Sequence, residues 1–169
     1  MSQLSPQAFK LASEFLSDQQ KALIFDVQLI LNRLQISDHI SDYSFIVSPV
    51  SKAYEGYLKD FFLKIRIINK MDYNSDRFRV GKTLNPSLRY KRFSIFQKLI
   101  NINENGEELA ESLWNAWKYG RNEIFHYFPG KLKNIDRADA EERIAMLLDA
   151  IIKSGEFLEN HTSSADGLL

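Results

Sequence analysis

Residues 48–65 read Ser-Pro-Val-Ser-Lys-Ala-Tyr-Glu-Gly-Tyr-Leu-Lys-Asp-Phe-Phe-Leu-Lys-Ile, and their period decides the fold. Ser48-Pro49 has the form of a helix start: a hydroxyl that caps backbone N–H groups, then a ring whose fixed φ suits the first helical position. Tyr54, Tyr57, Leu58, Phe61, Phe62 and Ile65 return at three- and four-residue steps, giving one apolar face to a helix predicted to run to about Ile68. So aromatic a face has to be covered by other elements, which places this helix at the centre of the domain.

The same period recurs on both sides. Ser5-Pro6 repeats the start signal, followed by Phe9, Ala12, Phe15 and Leu16. Leu23, Val27, Ile30, Leu31 and Leu34 continue it, with Ser17-Asp18 either opening a second helix or lying inside one long helix. Residues 36–43 are polar and turn-rich. Lys70 to Pro86 lacks a clean period and is punctuated by Asn74-Ser75, Gly81 and Asn85-Pro86; a long loop is predicted, with a short hairpin around Phe78-Arg79-Val80. Ser87 to Ile100 is weakly helical, and Asn105-Gly106 breaks it. Glu107 to Phe128 reads as a strong helix, acidic in its first turn, with Leu109, Leu113, Trp114, Trp117, Ile124 and Phe128 on its apolar side. Pro129-Gly130 stops it. A last helix runs from Asp136 to about Asn160. The fold class expected is all-α, a bundle of four to six helices, with one domain over residues 1–160 and a flexible tail over 161–169.

Composition narrows the function. Hydrophobic residues at 44% mark a globular chain rather than a disordered one. The absence of cysteine removes disulfides, thiol catalysis and zinc–thiolate sites, and agrees with a cytoplasmic location. Residues 1–6 carry neither a basic segment nor an apolar one, so no signal peptide is expected, and no apolar run approaches the ~20 residues that span a bilayer. The Ser, Gly and acidic residues form no nucleophile elbow, P-loop or Ca²⁺ loop, and no paired His ligands suggest zinc. Neither a metal nor a cofactor is expected.

Net charge is zero, yet charge is segregated. Between Arg66 and Lys98 nine cations, among them Arg77, Arg79, Lys82, Arg89, Lys91 and Arg92, face only Asp72 and Asp76. Tyr73, Phe78, Tyr90 and Phe93 interleave with them. Cations that neutralise phosphates beside rings that stack on bases suit single-stranded RNA. The plainer reading is a solvated loop whose cations balance acidic helices elsewhere.

The second feature is Arg121-Asn122-Glu123-Ile124-Phe125-His126 at the end of the strong helix. It sets a permanent cation near an imidazole that titrates around neutrality. On an α-helix Asn122 and His126 share a face, and Arg121 borders the next one. Cleaving RNA without a metal requires a base for the ribose 2′-OH, an acid for the leaving 5′ oxygen, and positive charge at phosphorus; one Arg and one His supply part of that set, and two copies supply all of it. Glu55, on the aromatic helix, is the carboxylate suited to hold Arg121. The competing reading makes His126 a cation at a helix C-terminus and Arg121 an ordinary bridge to a carboxylate.

The aromatic helix followed by Arg-Asn-(three residues)-His resembles the HEPN superfamily of α-helical ribonucleases, whose mark is an Arg, four to six residues, then a His, often with Asn after the Arg. Residues 48–59 ahead of that motif are similar to the C-terminal region of RNase LS-type toxins. The resemblance implies a HEPN-like endoribonuclease that works as a homodimer without metal, with Arg121 and His126 of two copies facing one cleft and leaving a cyclic phosphate. It implies a toxin or phage-defence role and an antitoxin or inhibitor protein as partner. In one toxin branch a Tyr two residues after the His is nucleotidylated; here Phe128 stands at that place and Tyr127 directly follows the His. The alternative is a non-catalytic helical module that dimerises or binds protein through Trp114, Trp117 and the aromatic helix, or binds RNA without cutting it.

Overall fold

The computed structural model describes residues 4–34, 40–122, 124–125, 129 and 134–166, with side chains through residue 160. Ser5 accepts from the Ala8 N–H at 3.3 Å and opens α1, Pro6–Ser13. Ser17 and Gln20 form a reciprocal capping box, so a separate helix, α2, starts here and spans Asp18–Arg33. The central helix α3 is Ser44–Lys64. Short helices α4 (Lys70–Tyr73), α5 (Val80–Thr83) and α6 (Ile95–Ile100) follow, with a 3₁₀ turn at Pro86–Leu88. Gly106–Asn115 is α7, continued by a π-helical segment, Ala116–Asn122. The last helix, α8, spans Arg137–Asp166. The described residues are all-helical, as the bundle reading requires. None of these helices is long and apolar enough to cross a membrane.

α3 packs between α2 and α8. Ile46, Val50, Tyr54, Leu58, Phe61 and Phe62 are buried in a core shared with Ile24, Leu113, Ile144, Leu147 and Ile151. The two tyrosines do more than fill space. Tyr54 Oη donates to the Leu113 carbonyl at 2.9 Å, tying α3 to α7. Tyr57 Oη lies 2.9 Å from Ser154 Oγ and donates to the Ile151 carbonyl at 3.3 Å, tying α3 to α8. Burial pushes both phenols well above their ordinary pKa, so both stay protonated. Asp60 accepts from Gln20 Nε2 and Tyr73 Oη, each at 2.7 Å, and joins α2, α3 and α4.

The element boundaries depart from the sequence reading in instructive ways. α3 begins four residues before Ser48, because Asp42 Oδ1 accepts from the Ser44 N–H at 3.0 Å and its hydroxyl at 2.7 Å. Pro49 therefore lies inside the helix and leaves the Phe45 carbonyl without its i+4 donor. Asp42 also accepts from the Ile135 N–H at 3.3 Å, while Ile135 returns its carbonyl to the Tyr43 N–H at 3.0 Å. This clasp of one side-chain and one backbone bond pins the approach to α8 onto the start of α3. Burial of Asp42 pushes its carboxyl up, but these hydrogen bonds outweigh that and hold it below its usual value. At the other end α3 stops at Lys64, short of Ile68. Arg66 takes φ 60°, and the Arg66 and Ile67 N–H groups turn back to the Leu63 and Phe62 carbonyls at 3.1 and 3.0 Å, a Schellman motif with Arg where Gly is usual.

No hairpin forms at Phe78-Arg79-Val80 among the described residues. Instead Asn69 and Ser94 each accept a backbone N–H and start α4 and α6, Asn85 does the same for the 3₁₀ turn, and α5 forms without a side-chain cap, so that the described residues hold eight α-helices against the four to six expected. α8 continues six residues past Asn160, into the predicted tail, and residues 167–169 lie outside the described residues.

Candidate functional site

Ser48, Ser51, Lys52 and Glu55 recur at helical spacing on the side of α3 that borders a cleft, Ser51 at its buried edge. Opposite them stand Arg121, near the end of the π-helical segment, and Phe125. Together these six residues enclose a cleft of about 260 Å³.

Arg121 is held from two directions. Its Nη2 donates to Glu55 Oε2 at 3.0 Å, a charge-assisted bond between side chains 29% and 34% exposed. Its guanidinium carbon lies 4.4 Å from the Trp117 ring centroid and 5.7 Å from that of Phe125. One nitrogen is thus committed to Glu55, the flat face rests on the indole, and the remaining N–H groups of the fork stay available to an anion. The structure therefore brings together Glu55 and Arg121, 66 residues apart, as the sequence reading paired them. Trp117, assigned there to an apolar side, is the platform under the cation. Its spacing of four from Arg121 was the available signal.

Asn122 is half-buried at the end of the π-helical segment and is not one of the cleft-lining residues. His126 and Tyr127 lie outside the described residues, as does Phe128. The helix predicted to reach Phe128 ceases to be α-helical at Ala116 and is a turn by Ile124, whose N–H reaches the Arg121 carbonyl at 3.4 Å. The α-helical phase argument linking Asn122 to His126 runs into residues outside the described ones; up to Asn122 the bonding is π-helical, which adds a residue to each turn. One local cause is Gly120, a weak helix former pressed against α8: a Cβ there would lie 2.9 Å from Leu147 Cγ. Arg143 on α8 donates to the Tyr119 carbonyl and holds the widened turn.

One further polar atom marks the cleft. Ser51 is 2% exposed, and among the described residues its Oγ has no hydrogen-bond partner. Burying a hydroxyl without a partner is costly, so such atoms are uncommon in folded proteins. Sequence could not reveal it, since satisfaction depends on what folds against the residue.

The basic residues divide into two groups. Arg89, Tyr90, Lys91, Arg92 and Lys98 line a second cleft of about 480 Å³, with Ser94, Gln97 and Asn101 and no carboxylate. Arg89 lies 4.8 Å from the centroid of the Tyr90 ring, which is 81% exposed. Arg77 and Arg79 fall outside this cleft; Arg79 donates to the Asp76 carbonyl and Arg77 is exposed. Lys82 bridges the regions. Its Nζ lies 5.1 Å from the Phe93 ring, and the neighbouring Gly81 backbone is pressed so closely against the Trp117 indole that a Cβ would collide with it. Contacts thus link Arg121 through the buried Trp117 ring to Gly81, next to Lys82, whose Nζ reaches Phe93. By contrast, Trp117 and the aromatic face of α3 are buried, so they offer no docking surface for a protein partner, and Trp114 is only half-buried.

No family model, curated protein or solved structure matches this chain.

Proposed function

We propose that this chain is a HEPN-type endoribonuclease of the toxin or phage-defence kind, metal-independent and cytoplasmic, whose working unit is a homodimer. The observation that carries the reading is Arg121 held by Glu55 and Trp117 on an open cleft. A cation kept only for stability gains little at this exposure, about 0–1 kcal/mol for such a pair. Fixed in orientation with donors left over, it is suited to a phosphate whose charge grows during reaction.

In this reading His126 of one copy takes the proton from a ribose 2′-OH, and the 2′ oxygen attacks the adjacent phosphorus. Arg121 neutralises the charge on the equatorial oxygens. The 5′ oxygen leaves with a proton from the second copy's imidazole, yielding a cyclic phosphate and a 5′-hydroxyl. Asn122 serves as an orienting or RNA-contacting group with Tyr127 in support, and Arg89, Lys91, Arg92 and Lys82 guide the strand, with Arg77 and Arg79 adding to the field. An antitoxin or inhibitor protein would silence the enzyme by covering the cleft.

The test is incubation of the purified protein with mixed RNA in EDTA, beside His126→Ala. Cleavage that survives the chelator and disappears in the variant is the expected result. RNA binding without cleavage would replace this reading by that of an RNA-binding module.

A further inference from the structure

Among the described residues four of α3 and two beyond it line the cleft, and Arg121 and Glu55 are paired across it. Of the charged cleft residues among those described, Arg121 and Lys52 are positive and Glu55 negative, leaving one net positive charge. That balance suits one phosphodiester, which carries a single negative charge, better than a terminal phosphate with more. Ser51 lies in the same wall, one helical turn from Glu55, buried, with an unpartnered hydroxyl among the described residues. Among the described residues no hydrogen bond commits that hydroxyl elsewhere.

We propose that Ser51 is the second phosphate contact of the cleft: its Oγ donates to a non-bridging oxygen of the phosphodiester that Arg121 grips, while Lys52 supplies the unbalanced charge. The inference rests on reading the cleft as an RNA phosphate site. It accounts for a buried polar atom that the described residues leave unsatisfied, at a cost. A structural serine at this position would have been expected to find a partner within the protein.

The opposed signs of two effects give the test. In the full chain, Ser51→Ala removes the contact to phosphate and also removes an unsatisfied buried hydroxyl. Binding is measured by fluorescence anisotropy with a 2′-O-methyl oligoribonucleotide, which lacks the attacking hydroxyl and cannot be cut, over a series of salt concentrations. Ser51→Ala should weaken binding about tenfold, the loss of one charge-assisted hydrogen bond. Its slope of log K against log salt should match the wild type, since no charge is lost. Its Tm should be equal to or above that of the wild type. Unchanged affinity, no binding by the wild type, or a Tm that falls together with affinity would each overturn the proposal. The two readings fail separately. A wild type that binds the probe through Ser51 but cuts no RNA retains the contact and loses the ribonuclease. A wild type that cuts RNA, with Ser51→Ala binding and cutting equally well, does the reverse.

Discussion

On its core face α3 buries Tyr54 and Tyr57 with both phenols bonded, to the Leu113 carbonyl and to Ser154; on its cleft face it buries Ser51 with no partner among the described residues. Ser51 and Tyr54 belong to one helix and are three residues apart, so backbone geometry and chain position are nearly the same. What differs is how polar atoms are treated. On the core face each buried hydroxyl is matched to an acceptor on another helix, which fixes how α7 and α8 sit on α3. On the cleft face one hydroxyl is left unmatched and a charged pair is kept a third exposed. Satisfied polar atoms rigidify a scaffold, and unsatisfied ones are retained where something other than stability is selected.

The largest effect expected from this contrast lies at Phe62. Its side chain is fully buried and its ring sits 5.8 Å from that of Phe61. Phe62→Ala should cost about 3–5 kcal/mol in urea unfolding, the transfer free energy plus the cavity left behind. A cost under about 1 kcal/mol would mean that the core face is not the scaffold and would remove the contrast.

Tyr54→Phe comes next and tests polar matching alone. The ring stays, and the Leu113 carbonyl loses its phenol donor in a site without solvent access. About 1–3 kcal/mol should be lost, measured as a lower denaturation midpoint with the same m-value. If Tyr54→Phe proved neutral while Ser51→Ala destabilised the protein, the roles of the two faces would be exchanged.

How much of this was legible in the sequence follows the same division. The core face of α3 could be read because apolar period is a one-dimensional signal: Tyr54, Tyr57, Leu58, Phe61 and Phe62 are all buried. The ends of α3 could not. Ser48-Pro49 imitates a start, while the helix opens at Ser44, whose N–H and hydroxyl bond the Asp42 carboxylate, and Arg66 occupies a left-handed position where a glycine would have announced the stop. Between residues 69 and 100 the signals were present but outweighed by the lack of period: Asn69, Asn85-Pro86 and Ser94 with Gln97 three residues on all mark helical turns. In the cleft, Glu55 and Arg121 were visible as chemistry, and their proximity is the fold's contribution. The π-helical segment has no residue signature, so the phase it gives Arg121 was hidden. The orphaned Ser51 hydroxyl was hidden for a deeper reason, since being unpartnered is a property of the folded surroundings and not of the residue.

The smallest stability effect, and the sharpest division between the faces, is expected for Glu55→Gln. Shape is kept and an amide oxygen can still accept from Arg121, so only the charge is removed. A pair about one-third exposed contributes less than about 1 kcal/mol, and Tm should hardly move. Orientation of the guanidinium should suffer far more than stability, because a neutral acceptor grips Arg121 less firmly while the Trp117 face still allows it to slide. RNA cleavage should therefore fall about tenfold to a hundredfold, chiefly in kcat rather than KM, as misplacement of a group that acts on the transition state requires. Glu55→Asp, which keeps the charge on a shorter arm, should recover part of that loss. A Tm that drops in step with kcat would instead make the Glu55–Arg121 pair part of the scaffold, and the cleft face of α3 would then be ruled by the same matching as its core.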